Sequence, residues 1–191
     1  MNDFNSPDQH QGKRIFVIMG TDVHPFSRLC SWADQWIRTR PTDHVLVQHG
    51  YTPPPAIAQG VEILSPEELG RTLATTDVAI SHGGPGTISA IRTAGLQPIV
   101  FPRDPEHGEH VDGHQMRFAK WASDRGIATV AFDLEQLDSA VRKALSQPQE
   151  TVGPSAQIES SLRALRTEIV RTLRSGPRRR RIGMLRGRPT S

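Results

Sequence analysis

The sequence predicts a doubly wound α/β domain, a parallel sheet with helices on both faces. Short β-branched runs recur along the chain, each is followed by a segment with helical apolar spacing, and Gly- or Pro-containing turns separate the two. Parallel strands need crossovers, and helical crossovers cover the sheet, so this alternation implies a buried parallel sheet. With 191 residues, the chain has room for one ordinary domain and a tail.

The first strand is the run RIFVIMG at 14–20, ending in glycine. SRLCSWADQWIRT follows it, with Leu29, Trp32, Ala33, Trp36 and Ile37 at helical spacing. HVLVQ at 44–48 predicts the second strand and VEIL at 61–64 the third. In PEELGRTLATT, Ser65 is the expected N-cap and Pro66 occupies the first helical position, which tolerates a residue without an N–H. DVAISH at 77–82 is the fourth strand; a Gly-rich turn leads from it into the helix TISAIRTAG, closed by Gly95. PIVFP at 98–102 is the fifth strand. A long polar loop, the helix HQMRFAKWASDRG and the strand ATVAF at 128–132 come next. LEQLDSAVRKAL ends the domain with Leu134, Leu137, Val141 and Leu145 on one helical face.

Charge separates body from tail. Residues 161–191 hold ten of the 23 basic side chains and one of the 20 acidic ones, which leaves the tail at +9 and the rest at −6. The basic balance therefore belongs to the tail, and the body offers no basic surface for nucleic acid. Cys30 is the only cysteine, which excludes an intrachain disulfide or a cysteine metal cluster and fits a reducing compartment. The polar N-terminal stretch lacks the apolar core of a secretory signal, and no window has the roughly 18 consecutive apolar residues of a spanning helix. The expected organisation is a disordered N-terminus at 1–12, a domain at 13–146, a linker with a candidate helix at 147–176, and a disordered basic tail at 177–191.

Ligands of open α/β sheets bind at the carboxyl ends of the strands, so the loops there are where chemistry is expected. Three stand out: Gly20 to Phe26 after the first strand, His82 to Thr87 after the fourth, and Arg103 to Gln115 after the fifth. Gly83, Gly84 and Gly86 precede a helix expected to begin near Thr87, where bare backbone and a positive dipole end suit a phosphate. A tight turn that only permits packing would need the same glycines. Neither GxxxxGK[ST] nor GxGxxG is present. In RDPEHGEHVDGHQ, His107, His110 and His114 invite a metal site, but the helical HExxH spacing is absent, and a loop over a sugar uses the same residue types. His24 could take a proton from an attacking hydroxyl or could simply order its loop.

The run from Asp77 to Gly126, with its Ser-His-Gly-Gly turn, Gly-Thr at a helix start and acidic-His loop ending His-Gln, resembles a known domain. It is the C-terminal, nucleotide-sugar-binding domain of GT-B glycosyltransferases of the lipid II synthase type. The small bacterial exopolysaccharide glycosyltransferase subunits and the catalytic subunit of the two-subunit dolichol-pathway UDP-GlcNAc transferase look most similar. The early VIMGTDVHPFSRL fits the same pattern, and the resemblance covers roughly residues 13–146.

The resemblance implies a Rossmann-like domain that binds a UDP-sugar, with His82, Gly83, Gly84, Gly86 and Thr87 beside the diphosphate and Gly20 and Thr21 near the diphosphate or acceptor. It implies sugar contacts from the loop that carries Glu109, His110, Asp112, His114 and Gln115. One departure stands out: alignment on Ala94-Gly95-Leu96 puts Ala90 where lipid II enzymes have a ribose-binding Glu. A full GT-B enzyme has two domains and this chain has length for one, so the implied partner is a membrane-anchored acceptor-binding subunit at the cytoplasmic face. The implied reaction is inverting hexosyl transfer to a lipid-linked acceptor, with His24 the candidate base and with no metal or other cofactor. Alternatives are a non-catalytic nucleotide-sugar-binding subunit and a sugar-nucleotide epimerase; the arginine run alone suggests a nucleic-acid-binding protein.

Overall fold

The computed structural model describes residues 12–147. Six parallel strands form one sheet in the order β3-β2-β1-β4-β5-β6. The strands are β1 (Arg14–Ile18), β2 (His44–Gln48), β3 (Gln59–Val61), β4 (Val78–Ser81), β5 (Ile99–Val100) and β6 (Thr129–Val130). Five helices connect or follow them: α1 (Ser27–Thr39), α2 (Pro66–Ala74), α3 (Pro85–Thr93), α4 (His114–Asp124) and α5 (Leu134–Ser146). The doubly wound parallel sheet expected from the sequence is present.

Strand β1 organises the core because its side chains alternate between the two faces of the sheet. Ile15 and Val17 pack with Leu29, Trp32 and Trp36 of α1 and Leu137 and Val141 of α5. Phe16 and Ile18 join Leu46, Leu73 of α2 and Ile91 of α3 on the other face. A third cluster joins Ile88, Val100, Phe118, Ala119 and Ala122. Full burial of a side chain such as Phe16 stabilises the fold by about 1.5–3 kcal/mol.

Local chemistry fixes the helix starts. Ser65 and Glu68 form a reciprocal capping box at α2, with Pro66 behind the cap. Asp133 caps α5 by accepting from the Gln136 N–H. On α1, Asp34 accepts the N–H groups of Ala56, Ile57 and Ala58 and so pins the segment before β3. Burial would raise the Asp34 carboxyl, yet those three donors hold it below its ordinary value.

Some boundaries differ from the expectation. Strand β3 begins at Gln59, and its ladder pairs Leu46 with Gln59 and Gln48 with Val61, whereas Ile63 is half exposed. Pairing with β2, rather than β-propensity, sets this edge strand. Helix α3 opens at Pro85, two residues before the expected start, because Gly84 serves as N-cap and proline suits the first helical position. The candidate helix of the linker and the basic tail at 177–191 lie outside the described residues. No helix among the described residues is long and apolar enough to cross a membrane.

Candidate functional site

Strands β1 and β4 are neighbours, yet α1 packs on one face of the sheet and α3 reaches the other. Their outgoing loops therefore diverge and leave a crevice at the carboxyl edge, the place where such sheets take ligands. The chain leaves β1 and β4 through Gly20 and Gly83, with positive φ angles of 75° and 94° that glycine adopts without strain.

The His82 imidazole is clasped between Gly20 and Gly84. A methyl group on Gly20 would lie 2.7 Å from His82 Cε1 and Nε2, and one on Gly84 would lie 2.6 Å from Nε2. His82 Nδ1 is 3.2 Å from the Ile18 carbonyl oxygen, which can only accept, so the ring proton sits on Nδ1. Desolvation pushes the imidazole down to about 4, outweighing the bond to Ile18. His82 is thus neutral near pH 7, and what it brings to the crevice is shape rather than positive charge.

Gly86 differs from its neighbours, because a methyl group there would meet no protein atom within 4 Å. It stands exposed in the first turn of α3, followed by Thr87. At these two positions the backbone N–H groups have no intrahelical acceptor and point out of the helix start.

At the same edge of the sheet the loops after β1 and β5 interlock through alternating carboxylates and imidazoles. Asp22 Oδ1 accepts the His24 backbone N–H at 2.8 Å and faces His24 Nδ1 at 2.6 Å. Asp22 Oδ2 lies 3.3 Å from His110 Nε2. His110 Nδ1 accepts the Asp112 backbone N–H at 3.2 Å, and Asp112 Oδ1 bonds both the backbone and the ring Nδ1 of His114. Burial would raise the Asp22 carboxyl, but His24, Arg103 and His110 together hold it below its ordinary value. Desolvation lowers the His110 imidazole despite Asp22 beside it. Between these paired residues Val23 and Val111 turn outward, 69% and 74% exposed.

This arrangement sorts the residues singled out in the sequence. Thr21 is exposed at the crevice mouth, and Gln115 Oε1 accepts the Arg103 backbone N–H at 3.4 Å. His110, Asp112 and His114 bring three potential metal-ligand atoms within 4.8 Å of one another, although hydrogen bonds inside the cluster already use His110 Nδ1 and Asp112 Oδ1. His107 is exposed in a single 3-10 turn, Pro105–His107, and takes no part in that group. Glu109, expected to touch a sugar, is instead buried. Arg28 Nε and Nη2 reach its two oxygens at 2.8 and 2.7 Å, and the Asp104 N–H donates at 3.0 Å. Its carboxylate thus anchors the loop to α1. Ala90 packs against the core cluster around Phe16 and offers no polar group.

Sequence reasoning missed Arg103, which is wholly buried beneath these loops. Its Nη1 donates to the carbonyl oxygens of His24 at 2.5 Å and Glu109 at 3.1 Å, and its Nη2 donates to Met19 at 3.1 Å. The guanidinium lies over the Phe26 ring, 4.8 Å from its centroid, while its Nε has no partner. Desolvation lowers its pKa, and the charges of Asp22 and Glu109 oppose that shift. The clue available in sequence was an arginine directly after a strand; nothing nearby indicated that it turns inward.

The model of the glycosyltransferase family 28 C-terminal domain matches residues 14–168. The chain belongs to this family. No curated protein matches it in sequence. Among solved structures, the family 28 domain described here is similar to CalG4, the calicheamicin glycosyltransferase, with TM-score 0.57 and 15% identity over 90% of this chain and 45% of that one. It is similar to MurG of Acinetobacter baumannii, with TM-score 0.50 and 16% identity over 86% of this chain and 52% of that one. The NMR structure of ALG13 aligns with TM-score 0.53 and 18% identity over 81% of this chain and 95% of its own. The chain thus spans about half the length of CalG4 and MurG and nearly the whole of ALG13. At these identities the likeness shows the fold, that of the GT-B C-terminal domain.

Proposed function

We propose that this chain is the donor-binding part of a glycosyltransferase, which binds a UDP-sugar and transfers its sugar, with inversion, to a hydroxyl of a lipid-linked acceptor. The observation that carries the reading is the crevice between β1 and β4. Gly86 stands exposed there without a side chain to cover the free N–H groups that open α3, and a diphosphate suits both features. The sugar would extend toward His110, Asp112, His114 and Gln115, and the diphosphate toward Gly20, Thr21, Gly83, Gly84, Gly86 and Thr87.

In a direct displacement the acceptor oxygen bonds to the anomeric carbon as the bond from that carbon to the diphosphate breaks. The electron pair leaves on the diphosphate, where the N–H groups and dipole of α3 stabilise it. The acceptor proton goes to His24 Nε2, the nitrogen opposite the Asp22 contact. We read the transfer as independent of metal, the N–H groups and positive dipole end of α3 serving the departing diphosphate instead.

The acceptor half would come from a second, membrane-anchored subunit, which would hold the complex at the cytoplasmic face of a membrane. The outward Val23 and Val111 give such a partner or acceptor an apolar rim. Calorimetric titration with UDP and several UDP-sugars, beside a Gly86→Val variant, tests the donor site. Saturable binding that the variant loses supports the reading. Absence of binding by the native chain, both alone and with a co-expressed partner, overturns it.

A further inference from the structure

The two oxygens of Asp22 are shared between two histidines from different loops: Oδ1 faces His24 and Oδ2 faces His110. We propose that Asp22 is a positioning residue that holds His24 and His110 in opposite tautomers, leaving His24 Nε2 free of its proton. The inference rests on the reading of His24 as the base for its functional meaning, but its structural content stands on the hydrogen bonds to His24 and the ionic contact with His110.

The assignment follows from donors and acceptors. Asp22 Oδ1 receives the His24 backbone N–H at 2.8 Å and lies 2.6 Å from the ring Nδ1. A carboxylate only accepts, so that ring nitrogen must carry the proton. The carboxyl is held below its ordinary value and is ionised near pH 7. His24 Nε2 then keeps its lone pair, as a group that receives a proton must.

His110 has the reverse constraint. Its Nδ1 accepts the Asp112 backbone N–H at 3.2 Å, so its proton belongs on Nε2, which lies 3.3 Å from Asp22 Oδ2 in an ionic contact. One carboxylate therefore fixes the His24 ring by hydrogen bonds and favours, by its charge, the same His110 tautomer that the Asp112 N–H selects, which couples His24 to the loop after β5. Arg103 adds a second tie by holding the His24 carbonyl from below at 2.5 Å.

The test is a long-range proton–nitrogen correlation spectrum of the full chain with labelled histidine, at about pH 8, where ordinary imidazoles are neutral. His24→Gln and His110→Gln variants assign the two rings. The expected pattern is a protonated Nδ1 on His24 and a protonated Nε2 on His110. Asp22→Ala should shift His24 toward the Nε2-protonated form with the backbone spectrum otherwise kept. If Asp22→Ala does not fold, Asp22→Asn serves: its amide oxygen can still satisfy the two His24 donors, while its NH2 opposes the His110 proton, so only His110 should change. A native His24 protonated on Nε2, or rings unmoved in both variants, overturns the proposal. Loss of UDP binding in calorimetry with the tautomers as expected would instead count against the donor-binding reading, which keeps the two failures distinct.

Discussion

Arg103 Nη1 lies 2.5 Å from the carbonyl oxygen of His24, so a guanidinium wholly out of water holds the loop that carries the candidate base. The same group bonds the carbonyls of Met19 and Glu109, which makes it the tie between the loops after β1 and β5. Arg103→Met should cost about 3 kcal/mol of stability, because it leaves three buried carbonyls without donors. Urea unfolding measures this, and a midpoint equal to that of the native chain would contradict the role. Arg103→Lys should recover only part of the loss, since an ammonium cannot reproduce the planar fork.

Gly84 has an ordinary φ of −63°, so its backbone tolerates a side chain and only His82 stands in the way. Gly84→Ala should destabilise the domain by about 1–3 kcal/mol through overpacking, and His82→Ala should relieve that cost in the double variant. Gly20→Ala should not be fully relieved in the same way, because φ there is 75° and part of its cost is backbone strain. Thermal unfolding of the two cycles separates these contributions.

Gly86 should behave in the opposite manner. Its missing side chain leaves space that no protein atom fills, so Gly86→Ala should leave stability unchanged or raise it by up to about 1 kcal/mol. If a diphosphate occupies that space, Gly86→Val loses UDP binding while keeping the native melting temperature. A variant that binds UDP normally would move the diphosphate elsewhere.

Acid should weaken the fold in two stages. The His82 imidazole falls from 6.5 to about 4 on folding, so the unfolded chain binds the proton more readily. Its contribution is fully present above about pH 6.5 and is lost as the pH falls toward 4, with a slope of at most about 1.4 kcal/mol per unit. His110 is lowered for the same reason and adds to that stage. Asp22, Asp34 and Asp112 are held below the ordinary carboxylate value of 3.8, so their contributions are lost only as the pH falls through and below it. Denaturant unfolding across this range checks both stages, and His82→Asn should flatten the first.

The sheet was legible because its strands other than β3 are rich in β-branched residues and its helices carry local signals such as Ser65 before Pro66 with Glu68 three residues on. Those signals act within one turn of chain. The fates of Arg103 and Glu109 were not legible, for Glu109 finds Arg28 81 residues away and Arg103 finds Met19 84 residues away. A loop rich in charge read as a ligand-facing surface, whereas two of its charged side chains turn inward to hold the rest. His24 was legible as a candidate from its place after a strand, but its link to His110 through Asp22 appears only when the two loops meet.

Strand β1 lies mid-sheet, paired with β2 on one side and with β4 on the other. During synthesis it is the first strand of the domain to emerge, and its second neighbour follows 63 residues later, as the bond from Arg14 N–H to Asp77 marks. Until then the Ile15–Ile18 edge has open hydrogen-bonding groups and apolar side chains on both faces, a combination that invites association with other chains. For this domain the vulnerable period therefore runs from the emergence of Ile18 from the ribosome to the emergence of Ser81, and a pause within that interval should lower the yield of folded protein more than an equal pause after Ser81 has emerged.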